Sequence, residues 1–316
     1  LKEGNMKKQP KTSLGKRGAL GISTGANAVI NVIMVLISLS CLLPILLIYV
    51  SSFTAESAIR AHGFSLFPKE WSLSAYQMLF EESLAQIVVS YRNTAVLTVV
   101  GTVLSLFIMT MYAYAISRQV FAARKALTFF AYFTMLFSGG LVPSYIVNTT
   151  IFGLRDNMLV LLLPSLVGAY NIIVLRTFFS SADNTPIIEA AKVDGASEFR
   201  IYGQIILPIS KPALATIGLF TAIAYFSKWF EVMLYIDSKS KWTIQYMLQR
   251  VMQDIQYLRA NPDLLMSEEG AEMLANLPNE SAKMALTVLT MTPVLAFYPY
   301  FQKYFVKGLT LGAVKG

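Results

Sequence analysis

Six predominantly apolar runs dominate the chain, at residues 29–50, 93–116, 127–147, 158–178, 212–236 and 284–302. An α-helix needs about 20 apolar residues to cross the hydrocarbon core of a bilayer, and each run is near that length. Lipid offers no water to satisfy backbone N–H and C=O groups, so such runs specify helices. Only 14% of the residues are charged and 55% are hydrophobic, whereas a soluble domain carries about 25% charged residues. The expected fold class is all-α, a polytopic membrane protein with six transmembrane helices. The first run, Val29–Val50, could also be a cleavable signal peptide. Its apolar stretch exceeds a signal core and no small-residue cleavage site follows cleanly, so a retained span is expected.

Lysine and arginine set the expected orientation. Lys2, Lys7, Lys8, Lys11, Lys16 and Arg17 precede the first run, and Arg118, Arg124 and Lys125 follow the second. Arg176, Lys192, Arg200 and Lys211 follow the fourth, and Lys303, Lys307 and Lys315 lie in the tail. These outnumber the cations of the opposite side (Arg60, Lys69 and Arg92 in one segment, Arg155 in another, and Lys239, Lys241, Arg250, Arg259 and Lys283 in a third), most of which stand in long loops. The positive-inside rule then puts both termini and residues 179–211 on the cytoplasmic side of the membrane. Residues 1–28 are expected as a cytoplasmic N-terminal arm beside anionic lipid, and 29–316 as one membrane domain. Two large external segments result: 51–92, an ordered loop around Phe67-Pro68-Lys69-Glu70-Trp71, and 237–283, helical around Tyr246–Met252. The net charge of +8 follows from topology and calls for no nucleic acid.

Several chemistries are excluded. One cysteine, Cys41, lies in an apolar run, and one histidine, His62, lies in a loop. That leaves no disulfide framework, no Cys- or His-based metal site and no His-dependent triad. No GxxxxGK[ST] phosphate loop is present, and Ser13-Leu14-Gly15-Lys16 lacks the upstream glycine. Leu136-Phe-Ser-Gly-Gly-Leu141 superficially matches an ATPase signature, but at the outer end of a span its glycines serve a bend or close helix packing. Asn148-Thr-Thr150 matches a glycosylation acceptor that has no meaning in a bacterial protein.

The polar stretch between the fourth and fifth runs is unusual. Asn184, Thr185 and Pro186 form a helix start. Ile187, Ala190, Ala191 and Ala196 then give a small-residue face, and Gly195 permits a turn and leaves room for a partner's backbone. A second short helix is expected with Phe199, Tyr202, Ile205 and Ile206 as its apolar face. Leu207-Pro208 and Pro212 redirect the chain into the fifth run. On periodicity alone, two readings stand level: an elbow that fits a partner's groove, or an interfacial helix lying on lipid headgroups.

The full string separates them. Glu189-Ala190-Ala191, Asp194-Gly195-Ala196 and Ile206-Leu207-Pro208 stand at the spacing of the cytoplasmic coupling (EAA) loop of bacterial ATP-binding-cassette (ABC) import permeases. The chain resembles that family from about residue 30 onward. Phe137–Pro143 and the C-terminal Tyr304–Gly316 resemble its carbohydrate branch, the permeases for complex sugars and polysaccharide fragments and the second permease of maltose-type importers. One departure is Ile187-Ile188, where the family often has an additional acidic residue. The resemblance implies a type I ABC importer permease fold with a coupling helix between helices 4 and 5. It implies a transport subunit for oligosaccharides rather than an enzyme. Implied partners are a second homologous permease, two ATPase subunits that bind the ATP and Mg, an external solute-binding protein, the sugar and membrane lipid. Glu189 and Asp194 would be polar anchors, and Ala190, Ala191 and Gly195 the close-approach surface, with Ala196, Leu207 and Pro208 completing the loop.

The fifth run also holds Lys228-Trp229-Phe230-Glu231. Charges at membrane depth are expensive and usually face an aqueous cavity. The same residues also suit the outer interface, with Lys228 snorkelling and Trp229 in the aromatic belt. Tyr225 and Trp229, at i and i+4, are expected to share a helix face. With Glu231 they could hold a sugar by ring faces and hydrogen bonds, and Tyr170 and Asn171 are weaker candidates. An ion-driven secondary transporter would explain buried charge but not the elbow sequence. An intramembrane hydrolase is disfavoured by the lack of a Ser/His, paired-Asp or metal-ligand constellation.

Overall fold

The computed structural model of the chain describes residues 24–181, 185–261 and 279–313. Among these residues the regular structure is helical, apart from one isolated antiparallel bridge between Thr54 and Trp71. In chain order the helices are α1 (Thr24–Ser52), α2 (Glu56–His62), α3 (Ser74–Ser117) and α4 (Arg124–Leu136). Then come α5 (Leu141–Ile151), α6 (Leu159–Ser165), α7 (Ala169–Phe179) and α8 (Thr185–Val193). α9 (Glu198–Ile209), α10 (Lys211–Phe226), α11 (Trp229–Tyr235), α12 (Ile244–Ala260) and α13 (Glu280–Ala313) complete them.

α3 is the central post, packed against α10, α7, α13 and α12. Close approach is possible because small residues meet large ones. A Cβ on Gly101 would lie 2.7 Å from the Tyr225 ring, and one on Gly218 would lie 3.2 Å from Leu106. Some of its buried hydroxyls pair with the helix's own carbonyls, whereas those of Thr98 and Thr102 have no hydrogen-bond partner. Thr94 Oγ1 donates to the Ser90 carbonyl at 2.7 Å and Thr110 Oγ1 to that of Leu106 at 2.6 Å. Three buried clusters line this post. One, at the C-terminal end of α3, gathers Ala113, Ile116, Leu175, Ile188, Ile201 and Ile206. A middle one holds Leu97, Leu161, Tyr225 and Val232. The third, at the N-terminal end, joins Ala75, Leu79, Ile244 and Leu286.

Gly25–Ser52, Ser83–Ser117 and Glu280–Pro299 are each long and apolar enough to cross a bilayer. Taking the bent pairs α4–α5, α6–α7 and α9–α10 as one span each brings the number to six among the described residues. Three of the six runs are interrupted. Residues 127–147 turn by 114° between α4 and α5, where Gly140 adopts φ 84° and Ser138 Oγ accepts the Gly140 N–H. Residues 158–178 bend by 44° between α6 and α7. The run 212–236 is not one helix: α10 ends at Phe226, and α11 begins at Trp229. The external segment 51–92 is also more helical than expected, since α3 starts at Ser74 with Ala75, Leu79 and Ile87 turned into the core. The helix expected around Tyr246–Met252 is present as part of α12. Residues 1–23 of the expected N-terminal arm, the Asn184 cap and residues 263–272 lie outside the described residues, while residues 24–28 of that arm open α1.

Candidate functional site

α8 and α9 form an elbow against the C-terminal end of α3. The turn between them closes by two backbone bonds, Ala196 N–H to the Ala191 carbonyl at 2.9 Å and Gly195 N–H to the Lys192 carbonyl at 3.0 Å. Gly195 takes φ 75°. This is the double bond pattern of a glycine-terminated helix, in which a left-handed residue lets the last carbonyls find donors. Ser197 then caps α9 by accepting the Arg200 N–H at 3.4 Å.

The elbow has an anchored side and an open side. Ile188 is buried and Ala191 and Ala196 are half-buried against it, while Glu189, Ala190, Asp194 and Gly195 are exposed. Ile187 is exposed, and the inward face is Ile188 and Ala191; of the small-residue face expected for close approach, Ile187 and Ala190 are exposed and Ala191 and Ala196 half-buried. In α9 the buried face is Ile201 and Ile206, with Tyr202 and Ile205 half-buried. Phe199, expected on that face, is 78% exposed. In an unbroken α-helix Phe199 and Ile206, seven residues apart, would share a face; the wider turn that follows Ile201 shifts the phase between them. A π-helical turn at Tyr202–Ile206 carries this face toward Leu207, which is half-buried, and Pro208, which is exposed.

Behind the elbow, one carboxylate gathers two hydrogen-bond donors and a guanidinium that faces it as an ion pair. Glu198 lies 2.8 Å from Lys192 Nζ and 3.3 Å from Arg118 Nε, and accepts the Tyr114 hydroxyl. The Tyr202 hydroxyl meets that of Thr110 at 2.8 Å, and the Tyr114 and Tyr202 rings stand 5.2 Å apart. A cavity of about 380 Å³, lined mainly by Met111, Val120, Phe121, Phe199 and Tyr202, opens beside this node.

The second group of candidates lies in the middle cluster. Tyr225 is buried, with its hydroxyl donating to the Leu162 carbonyl at 3.2 Å and 3.1 Å from Ser105 Oγ. Lys228 occupies the break between α10 and α11. Its side chain is 6% exposed, and its ammonium donates to Ser165 Oγ at 2.6 Å and Glu231 Oε1 at 3.0 Å, 5.5 Å from the centre of the Tyr225 ring. Lys228 is thus buried between Ser165 at the end of α6 and the first turn of α11. Because of the break, Tyr225 and Trp229 do not share a helix face, though Trp229 packs on the same cluster. Tyr170 is 68% exposed and points elsewhere, and Asn171 is half-buried against Gly168.

Residues 115–311 match the family model described as the binding-protein-dependent transport system inner membrane component. The chain belongs to this family. It is 36% identical over 283 residues to the polygalacturonan/rhamnogalacturonan transport system permease protein YtcP of Bacillus subtilis, covering 90% of this chain and 96% of the relative. It is 29% identical to the maltodextrin transport system permease protein MdxG of the same organism, over 87% of this chain and 93% of that one. A solved bacterial ABC transporter involved in import of the acidic polysaccharide alginate superposes with a TM-score of 0.74 at 31% identity, covering 90% of this chain and 99% of that chain. The permease therefore has the type I ABC permease fold and is a membrane transport subunit, not an enzyme. Two features of the permease escaped the sequence. Glu198 carries no motif, although an acidic residue directly after a capping serine is a weak signal for it. Ser105 and Ser165 look like any polar residue inside an apolar run.

Proposed function

We propose that this permease carries oligosaccharides or polysaccharide fragments inward as half of a two-permease pathway. The exposed face Glu189, Ala190, Asp194 and Gly195, held on a buried support of Ile188, Ile201 and Ile206, carries the reading. A protruding elbow that is rigid behind and small in front suits a groove on an ATPase partner, which would bind the ATP and Mg. Glu189 and Asp194 supply polar anchors there, and Ala190 and Gly195 let the partner's surface approach closely. In this arrangement six spans cross the membrane, the elbow is the coupling helix between the fourth and fifth, and both termini lie with it in the cytoplasm. An external solute-binding protein delivers the sugar to the opposite side. The saccharide class rests on the relatives, whose names cite pectic polysaccharides, maltodextrin and alginate. Tyr225, Lys228, Trp229 and Glu231 are the nearest groups for hydroxyl and ring contacts along the path; Tyr170 and Asn171 belong to it less directly.

The test is co-purification of the tagged permease from its native membrane, followed by reconstitution. Recovery of a second permease and an ATPase, with saccharide uptake that needs ATP, is the expected result. A chain recovered alone and active in liposomes without ATP would instead be an ion-driven transporter.

A further inference from the structure

Glu198 is placed to do more than hold the elbow together. Its three partners come from two separate places: Lys192 from α8, and Tyr114 and the ion-paired Arg118 from the C-terminal end of α3. Lys192 and Glu198 stand on either side of Gly195, the one residue of the elbow in a left-handed conformation. Their ion pair therefore braces the angle between α8 and α9. Through Tyr114 and Arg118 the same carboxylate ties that angle to the central post. The Glu198 side chain is 44% exposed, and the buried residues that seat the elbow, Ile188, Ile201 and Ile206, do not need it. Half-exposed ion pairs add little to stability, so the convergence of two cations and a hydroxyl on one carboxylate is better explained by what it aligns.

We propose that Glu198 is a positioning residue that links the exposed elbow face to α3, so that a push on Glu189–Gly195 reaches the spans as movement and is not absorbed by bending at Gly195. This rests on the permease reading above. Lys192, Tyr114 and Arg118 are the other half of the link, and all three face Glu198 from elements packed against it.

The experiment uses the whole complex (this chain, its companion permease, the ATPase and the binding protein) in proteoliposomes, and reads ATP hydrolysed per saccharide transported. Glu198→Ala is expected to raise that ratio by at least about five-fold, the lower end of coupling between distant sites. Glu198→Asp, which keeps the charge one methylene shorter, should recover part of the loss. Leu79→Ala, in the cluster at the other end of α3, is the structural comparison: it empties a buried site away from the elbow, so it should lower the amount of assembled complex while leaving the ratio alone. If Glu198→Ala fails to assemble, Glu198→Gln, of equal size and without charge, carries the same expectation. An unchanged ratio in an assembled Glu198 variant, or a transport loss that only tracks the amount of complex, overturns the inference. A wild-type chain that recruits no ATPase overturns the permease reading and this inference with it.

Discussion

Two glycines of this chain are constrained for opposite reasons. At Gly195 a Cβ would meet open space, but the residue sits at φ 75°, where a side chain clashes with its own backbone. Gly195→Ala should therefore cost about 1–2 kcal/mol, confined to the elbow. Gly195→Trp adds bulk to the exposed face; the variant is expected to insert normally and lose saccharide uptake. Wild-type uptake by that variant would remove the elbow from the coupling path. At Gly101 the backbone is ordinary helix, but a Cβ would lie 2.7 Å from a buried Tyr225 ring whose hydroxyl is already bonded. Gly101→Ala should lower stability by about 1–3 kcal/mol, the usual cost of overpacking. A purified variant with an unshifted thermal unfolding curve would refute the tight contact. Gly195 was legible from sequence because Asp-Gly follows a run of helix formers inside a recognisable string. Gly101 was not, because Val100 and Thr102 resemble any apolar span and its neighbour comes from a distant part of the chain.

Among the elements, long apolar periodicity was legible and interruptions were legible only where the chain marks them. Ser138-Gly139-Gly140 announces the turn between α4 and α5, and the structure bends there by 114°. Nothing comparable marks Ser227-Lys228; that break is made by tertiary contacts, with Lys228 turned inward to Ser165 and Glu231. The phase of α9 was misjudged for a related reason: the π-helical turn at Tyr202–Ile206, which moves Phe199 off the buried face, carries no mark in the sequence. A clasp between two turns was not visible at all. Asp156, at φ 52°, accepts the N–H groups of Asp237 at 3.1 Å and Ser238 at 3.0 Å, the Ser238 hydroxyl, and Lys241 Nζ at 2.7 Å. It joins the α5–α6 turn to the α11–α12 turn. The hydrogen bond from Lys241, with those from Ser238 and the Asp237 backbone, holds the Asp156 carboxyl well below the usual aspartate range. A depressed folded pKa contributes stability that is complete above the unfolded value and disappears as pH falls through the folded one. The wild type should thus exceed Asp156→Asn in thermal stability by a constant margin from neutral pH down to the ordinary aspartate range, and the margin should shrink below it. A margin that widens on acidification would contradict the clasp.

For the whole molecule, α3 supplies a ruler. Midway along it Asn93 donates to the carbonyls of Ser240 and Trp242, and Thr94 accepts the Ile244 N–H, which fixes the turn before α12. Near its end Tyr114 and Arg118 hold Glu198 and the elbow. Asn93 and Tyr114 are separated by about 30 Å of helix at about 1.5 Å per residue, which matches the roughly 30 Å thickness of a hydrocarbon core. The residues between them include Val96, Val99, Val103 and Phe107, all exposed in the isolated chain and suited to lipid or a companion permease. Two polar regions fixed to one straight helix at that separation belong on opposite faces of the membrane. Single cysteines at the exposed positions Asp194 and Ser240, each on a Cys41→Ser background, provide the check. In intact cells stripped of any outer wall barrier, an impermeant maleimide should label Ser240→Cys and spare Asp194→Cys; in inverted vesicles the pattern should reverse. Labelling of both from one side would mean that α3 does not span the bilayer between these contacts, and the six-span arrangement would have to be redrawn from α3 outward.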